Sequence, residues 1–323
     1  MQAVILVAGA STRFYPLGEM PKCMIPLLGK PILAHTIASL TKMGITDIIL
    51  VVGKDSPIKK FFADGGSYGA KIAYVVQEKP LGMGNALLVA SKMIKEDFFL
   101  LNGHHFDIDE FISLMINKRG EENGVLLGQE RENPWEYGVI KVDGDRVLNL
   151  VEKPQRGKEP SKICVVGIYL LTPEFLPFLK KVGPTHYQLE SALDKFAQQK
   201  KLKVVVTQKK TVTLKYPWDL LSLKNYLLDK SPHRISRGAK IGKGVILVGK
   251  MIIEEGATIY ENATIKGPVY IGRNVLVGNN ALVREGASLE ENSRVGALSE
   301  VKGSIFLPGS TLGSGFVASS IIG

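Results

Sequence analysis

An aliphatic side chain returns at every sixth position from Ile235 through Ile241, Leu247, Ile253, Ile259, Ile265, Ile271, Val277, Val283, Leu289, Val295 and Val301 to Leu307. Neither the helical period nor the strict alternation of a half-buried strand gives that spacing. A parallel β-helix does, because each coil has three short strands and every strand turns one aliphatic residue inward. The residue two places earlier is small or branched in most repeats (Ala239, Val245, Ala257, Ala263, Val269, Val275). The register breaks after Leu307 through Gly309, Gly313 and Gly315, and Ile322-Gly323 opens another hexad where the chain stops. An open apolar coil predicts either a covering partner subunit or a truncated form.

The first 231 residues follow a different rhythm, which places a domain at 1–231 and the repeats at 232–323. Strand-like runs (Ala3 to Ala8, Asp47 to Val52, Lys71 to Gln77, Phe98 to Leu101) alternate with helical patterns (Pro31 to Met43, Met83 to Ile94). That alternation predicts a mostly parallel, doubly wound α/β sheet of Rossmann-like design. Ligands of such sheets sit at the carboxyl ends of the strands. Gly138 to Val142 and Arg146 to Leu150 read as a hairpin, and Phe111 to Lys118 as a helix.

Charge narrows the choice of partner. The chain carries +10, yet Lys and Arg outnumber Asp and Glu only 9 to 7 from Ser236 onward, so +8 resides in the first 235 residues. Small polyanions are the economical ligand. The clusters Lys200-Lys201-Lys203 and Lys209-Lys210 lack the interleaved aromatics of a nucleic-acid platform. No run approaches membrane-spanning length, and two cysteines without metal spacing predict a reducing, cytoplasmic setting.

The densest local signal is LVAGASTRFYPLGEMPKCMIP, Leu6 to Pro26. A buried strand enters a small-residue turn at Ala8, Gly9, Ala10 and Ser11, where backbone amides can approach an anion. Arg13 then offers a fork for a terminal phosphate, and Lys22 a point charge for a phosphate nearer the reacting atom. This run resembles the signature of the nucleotide-sugar pyrophosphorylases, the sugar-1-phosphate nucleotidyltransferases, with Ser11 in place of that family's second glycine. The hexads likewise resemble the left-handed β-helix often fused to them. Three further segments extend the likeness. QEKPLGMGNAL, Gln77 to Leu87, resembles the base-binding segment, which assigns Gln77 and Gly82 to the base. VEKP, Val151 to Pro154, implies that Glu152 binds sugar hydroxyls and Lys153 the sugar phosphate. Gly138, after Tyr137, and Gly167-Ile168-Tyr169 match neighbouring sugar-site segments.

The resemblance implies Mg²⁺, held by an aspartate after the fourth strand and a second carboxylate ahead of a helix. His104 and Thr213 occupy those positions, and Asp107 or Asp109 could substitute. Mg²⁺ prefers hard carboxylate oxygens. Two functions follow as expectations. One is transfer of a nucleotidyl group from NTP, UTP or dTTP favoured, to glucose-1-phosphate or N-acetylglucosamine-1-phosphate, with release of pyrophosphate. The other is a catalytically impaired regulatory homologue that binds nucleotide or nucleotide-sugar. Either predicts a homo-oligomer through the β-helix or a hetero-oligomer with an active paralogue. A metal-binding Asp-x-Asp of the glycosyltransferase kind, at Asp107-Ile108-Asp109, ranks below both, because Asp109-Glu110 more simply starts a helix. Acetyl transfer by a repeat-domain histidine is not expected, since the last histidine, His233, precedes the repeats.

Overall fold

The computed structural model describes residues 1–323 except Glu19, which lies inside the Leu6 to Pro26 run, and His186. The chain separates into two compact units, Met1–Thr12 with Leu33–Val212, and Arg13–Ile32 with Thr213–Gly323.

The first unit is built on a nine-stranded sheet. Its spatial order is Lys71–Gln77, Asp47–Gly53, Gln2–Val7, Phe98–Asn102, Ile163–Leu171, Gly124–Glu130, Leu202–Val206, Arg146–Glu152 and Gly138–Asp143. The first four strands are mutually parallel, Ile163–Leu171 runs antiparallel between two neighbours, and the far edge is the hairpin. Continuous apolar runs such as Ala3, Val4, Ile5 and Ile48, Ile49, Leu50 are almost wholly buried, as strands covered on both faces must be. One face carries the helices Met83–Ala90, Phe175–Lys181 and Gln188–Gln199, whose Ala86, Leu87, Phe175, Leu189, Leu193 and Phe196 pack on Val4, Ile49, Leu100, Leu126 and Tyr169. Each fully buried aliphatic side chain there contributes roughly 1.5–3 kcal/mol.

Parallel strands place their carboxyl ends on one edge. The segments after Val7, Gln77 and Asn102 therefore emerge together, and Gly167 of the antiparallel strand arrives beside Asn102.

In the second unit the repeats form three parallel sheets of six, five and five strands. Coils pair eighteen residues apart, as in Ile235 with Ile253 and Ile241 with Ile259, and the inward aliphatic residues form a continuous core from Met251 to Phe306. Corners take the left-handed conformation, with Asn262 and Asn280 stacked above Gly244, and Asn274 and Asn292 above Gly256. Asparagine tolerates that conformation better than other residues carrying a Cβ. One expectation is corrected. The thirteenth inward residue is Phe306, which stacks on Leu289 and is fully buried, while Leu307 is only half-buried. The corner at Lys302-Gly303-Ser304 is one residue shorter than those before it; Leu312 keeps that shifted register, and a further residue is lost before Val317 and another before Ile322. Among the described residues no helix is long and apolar enough to cross a membrane.

Candidate active site

The first strand ends at Val7, Ala8 to Ser11 lie outside regular structure, and Thr12–Phe14 forms a single 3-10 turn. Ser11 has φ 52°, a backbone shape natural to glycine. A residue with a Cβ pays about 1–2 kcal/mol there, so the turn holds this shape despite the side chain. A Cβ on the exposed Gly9 would meet nothing within 4 Å, which leaves open space over the turn.

Gln77 closes its strand almost fully buried, and its Nε2 donates to the Gly82 carbonyl at 3.1 Å and to Asn85 Oδ1 at 2.9 Å. Both amide hydrogens are thus spent, one on the loop and one on the helix that follows it. The amide oxygen takes no part in either bond, so Gln77 can present an acceptor. Gly82 has φ 94°, and it starts the helix Met83–Ala90. A side chain there would be strained.

At the hairpin, Glu152 is the last residue of its strand rather than a loop residue beyond it, and it pairs with Gly138. A Cβ on Gly138 would lie 2.7 Å from Glu152 Oε2, so glycine makes room for the carboxylate. Lys153 follows with φ 45°, its N–H donating to the Tyr137 carbonyl at 3.0 Å and its Nζ 6.0 Å from the centre of the Tyr187 ring. Sequence reasoning missed Glu190, in the first turn of the helix Gln188–Gln199. Burial, reinforced by the Glu152 charge, pushes its carboxyl up to about 7. The buried Tyr169 hydroxyl is pushed up by desolvation and by the charges of Glu190 and Glu152. The result is a cluster of two carboxylates, a lysine and two tyrosines. Nothing in the local sequence around Glu190 marks it; only the packing of helix on sheet brings it there.

After Asn102 the chain turns through Gly103 into two neighbouring imidazoles, with the ring centres of His104 and His105 4.4 Å apart and their planes tilted by 33°. His105 is fully enclosed, neither ring nitrogen has a hydrogen-bond partner, and Nδ1 stands 3.7 Å from Asp107 Oδ1. Asp107 is wholly buried and its Oδ2 accepts the Val212 N–H at 2.9 Å. It pins the segment that leads to Thr213. Asp109 pairs with Lys42 at 2.8 Å.

In the second unit, Lys22 sits in the 3-10 turn Lys22–Met24, and its Nζ donates to the Leu214 carbonyl at 2.6 Å, one residue past Thr213. Burial lowers its pKa, with the Arg13 charge adding to the effect and Cys23 and Asp219 opposing it. A desolvated ammonium of this kind gains strongly from an anion. Arg13 itself is exposed. Asp219, the first residue of the helix Asp219–Lys230, accepts from the Lys215 and Tyr216 amides at 2.6 and 2.8 Å in the turn ahead of it. Cys23 and Cys164 are buried, and burial pushes the Cys23 thiol up to about 12.

The donor set is a poor match for Mg²⁺. Among the described residues no three His, Cys, Asp or Glu side chains converge as a metal site, Asp107 is committed to Val212 and Asp109 to Lys42. An imidazole at 104 and a hydroxyl at 213 lack the carboxylate oxygens that Mg²⁺ selects, so the residues present do not fit it.

A mixed α/β sheet with its loops gathered at the strand ends, followed by a coiled repeat of hexads, defines the nucleotidyltransferase class of fold. The chain belongs to the nucleotidyl transferase family, whose sequence model matches residues 2–220. It is 38% identical over 330 residues to the bifunctional protein GlmU of Methanococcus maripaludis, covering 100% of this chain and 77% of that one. A bifunctional sugar-1-phosphate nucleotidylyltransferase/acetyltransferase of Sulfurisphaera tokodaii is 29% identical, over 97% of this chain and 76% of its own. Among solved structures, a UDP-glucose pyrophosphorylase from Acinetobacter baumanii superposes with a TM-score of 0.58 at 22% identity, covering 71% of this chain and 94% of that one. Similarity at that level speaks for the fold.

Proposed function

We propose that the protein transfers a nucleotidyl group from UTP or dTTP to glucose-1-phosphate or N-acetylglucosamine-1-phosphate. A phosphate oxygen of the sugar phosphate bonds to the α-phosphorus as the bond to the β-phosphate bridging oxygen breaks, and pyrophosphate leaves. No proton transfer is needed for that exchange. Arg13 and Lys22 take the triphosphate, and the Ala8 to Ser11 turn offers its amides. Gln77, with its oxygen as acceptor, suits the N3–H that uracil and thymine share, and the backbone of Gly82 completes base binding. Glu152 and Lys153 take the sugar hydroxyls and phosphate, and Glu190 joins them. The observation that carries the reading is the space Gly138 leaves for the Glu152 carboxylate. Buried thiols at Cys23 and Cys164 suit a cytoplasmic setting, and the repeats are assigned to assembly, as a homo-oligomer or with an active paralogue.

A second reading has its own support. With His104 and Thr213 where carboxylates are expected, the chain would bind substrates and regulate an active paralogue without turnover. One experiment separates the two. Pyrophosphate release is measured with each NTP and each sugar phosphate, with Mg²⁺ or Mn²⁺, alongside nucleotide binding by calorimetry. Release supports transfer; binding without release supports regulation; absence of binding refutes both.

A further inference from the structure

Glu290 lies in the β-helix with its side chain wholly buried, where an ionised carboxylate is expensive unless hydrogen-bonded. Its Oε1 accepts the Leu28 N–H at 2.9 Å, its Oε2 accepts the Gly29 N–H at 2.8 Å, and the Ser288 hydroxyl donates to Oε1 at 2.7 Å. Among the described residues no cation is paired with it. The β-helix does not itself require this carboxylate, because Gly272 fills the same place one coil earlier, its N–H bonding to Leu289 O as that of Glu290 bonds to Phe306 O.

The beneficiary is a two-residue hairpin turn. Pro26–Leu27 pairs with Lys30–Pro31, and the two residues between them, Leu28 and Gly29, have φ 52° and 75°. Left-handed conformation at both central positions is the I′ pattern, which favours Asn-Gly and costs a leucine about 1–2 kcal/mol. Two amides held by one carboxylate offset that strain. The base of the same hairpin is tied to Lys22, since the Ile25 N–H donates to the Lys22 carbonyl at 3.3 Å and the Ile32 N–H to the Ile25 carbonyl at 3.1 Å.

We propose that Glu290 is a positioning residue for nucleotide binding: by gripping the Leu28-Gly29 turn it holds the hairpin whose base presents Lys22. The inference rests on Lys22 binding the triphosphate. The β-helix thereby serves nucleotide binding as well as assembly.

The test uses the full chain. Glu290→Gln keeps one acceptor but sets an NH₂ against the second amide. It should raise the KM and Kd for UTP or dTTP about tenfold, with KM for the sugar phosphate and kcat within about twofold. Adding Leu28→Gly, which relieves the turn, should recover part of the loss. A Glu290→Gln protein that folds and binds nucleotide like the parent overturns the proposal, as does an equal rise in both KM values. Glu290→Asp, a methylene too short to reach both amides, carries the same measurement if Glu290→Gln does not fold. Hydrogen exchange of the unsubstituted protein tests the grip directly. Slow exchange at Leu28 and Gly29 supports it, and free exchange refutes it. If the parent chain binds no nucleotide, the functional reading has failed, while the exchange result still decides whether the grip exists.

Discussion

Gly138→Ala separates the chemistry of the sugar cluster from the stability of the sheet. The added methyl would stand 2.7 Å from Glu152 Oε2 and 3.4 Å from Val165 Cγ2. Restoring ordinary contact requires the carboxylate to retreat by about 0.7 Å. A misplacement of about 1 Å at a reacting centre costs on the order of a hundredfold, so a retreat of this size should cost about tenfold in kcat/KM, or about 1.4 kcal/mol. The backbone responds in the opposite sense. Gly138 is not left-handed, so alanine fits its strand and lowers the entropy of the unfolded chain, worth roughly 0.5–1 kcal/mol. Steady-state kinetics and thermal unfolding on the same preparation should show a raised KM for sugar phosphate, nucleotide affinity unchanged and a midpoint no lower than the parent's. An unchanged KM would refute the assignment of Glu152 to the sugar. A lower midpoint would show that the sheet, rather than the carboxylate, absorbs the methyl.

Three further outcomes are expected. Glu190 has a folded pKa near 7 against an unfolded value near 4.5, so the folded state holds the extra proton between them. Stability should fall as pH rises through that window, by up to about 1.4 kcal/mol per pH unit, and level off above it, whereas Glu190→Gln should flatten the slope in chemical denaturation. Leu298 is 79% exposed at φ 59°, in the corner column of Gly244, Asn262 and Asn280. Leu298→Asn should stabilise the β-helix by about 1 kcal/mol, seen as a rise in its melting temperature. Finally, His104→Asp together with Thr213→Asp should confer tighter Mg²⁺ binding by calorimetry and raise pyrophosphate release; no gain in either would show that more than the carboxylates separates this chain from metal-dependent transfer.

Much of the molecule was legible along the chain. Lys71–Gln77 has the predicted bounds, Gln2–Val7 is shifted by one residue at both ends, and Asp47–Gly53 and Phe98–Asn102 each run one residue further than expected, because short apolar runs between turn residues leave few alternatives. The residues proposed for phosphate, base and sugar could be named singly, since each of those segments is contiguous. Their surroundings could not. That Gln77 spends its amide hydrogens on Gly82 and Asn85, and that Asp107 serves Val212, depends on neighbours 5, 8 and 105 positions away.

By itself the sequence determined the two architectures, the hexad that turns aliphatic residues inward and the strand-end turns that suit a nucleotide, because periodicity and local backbone chemistry are properties of adjacent residues. Only the tertiary structure decided which coil position Phe306 takes, that Glu190 joins Glu152 and that Glu290 grips Leu28 and Gly29. A shortened corner, a helix laid on a sheet and a carboxylate 262 positions from the amide it serves are set by packing in three dimensions, where separation along the chain carries no weight.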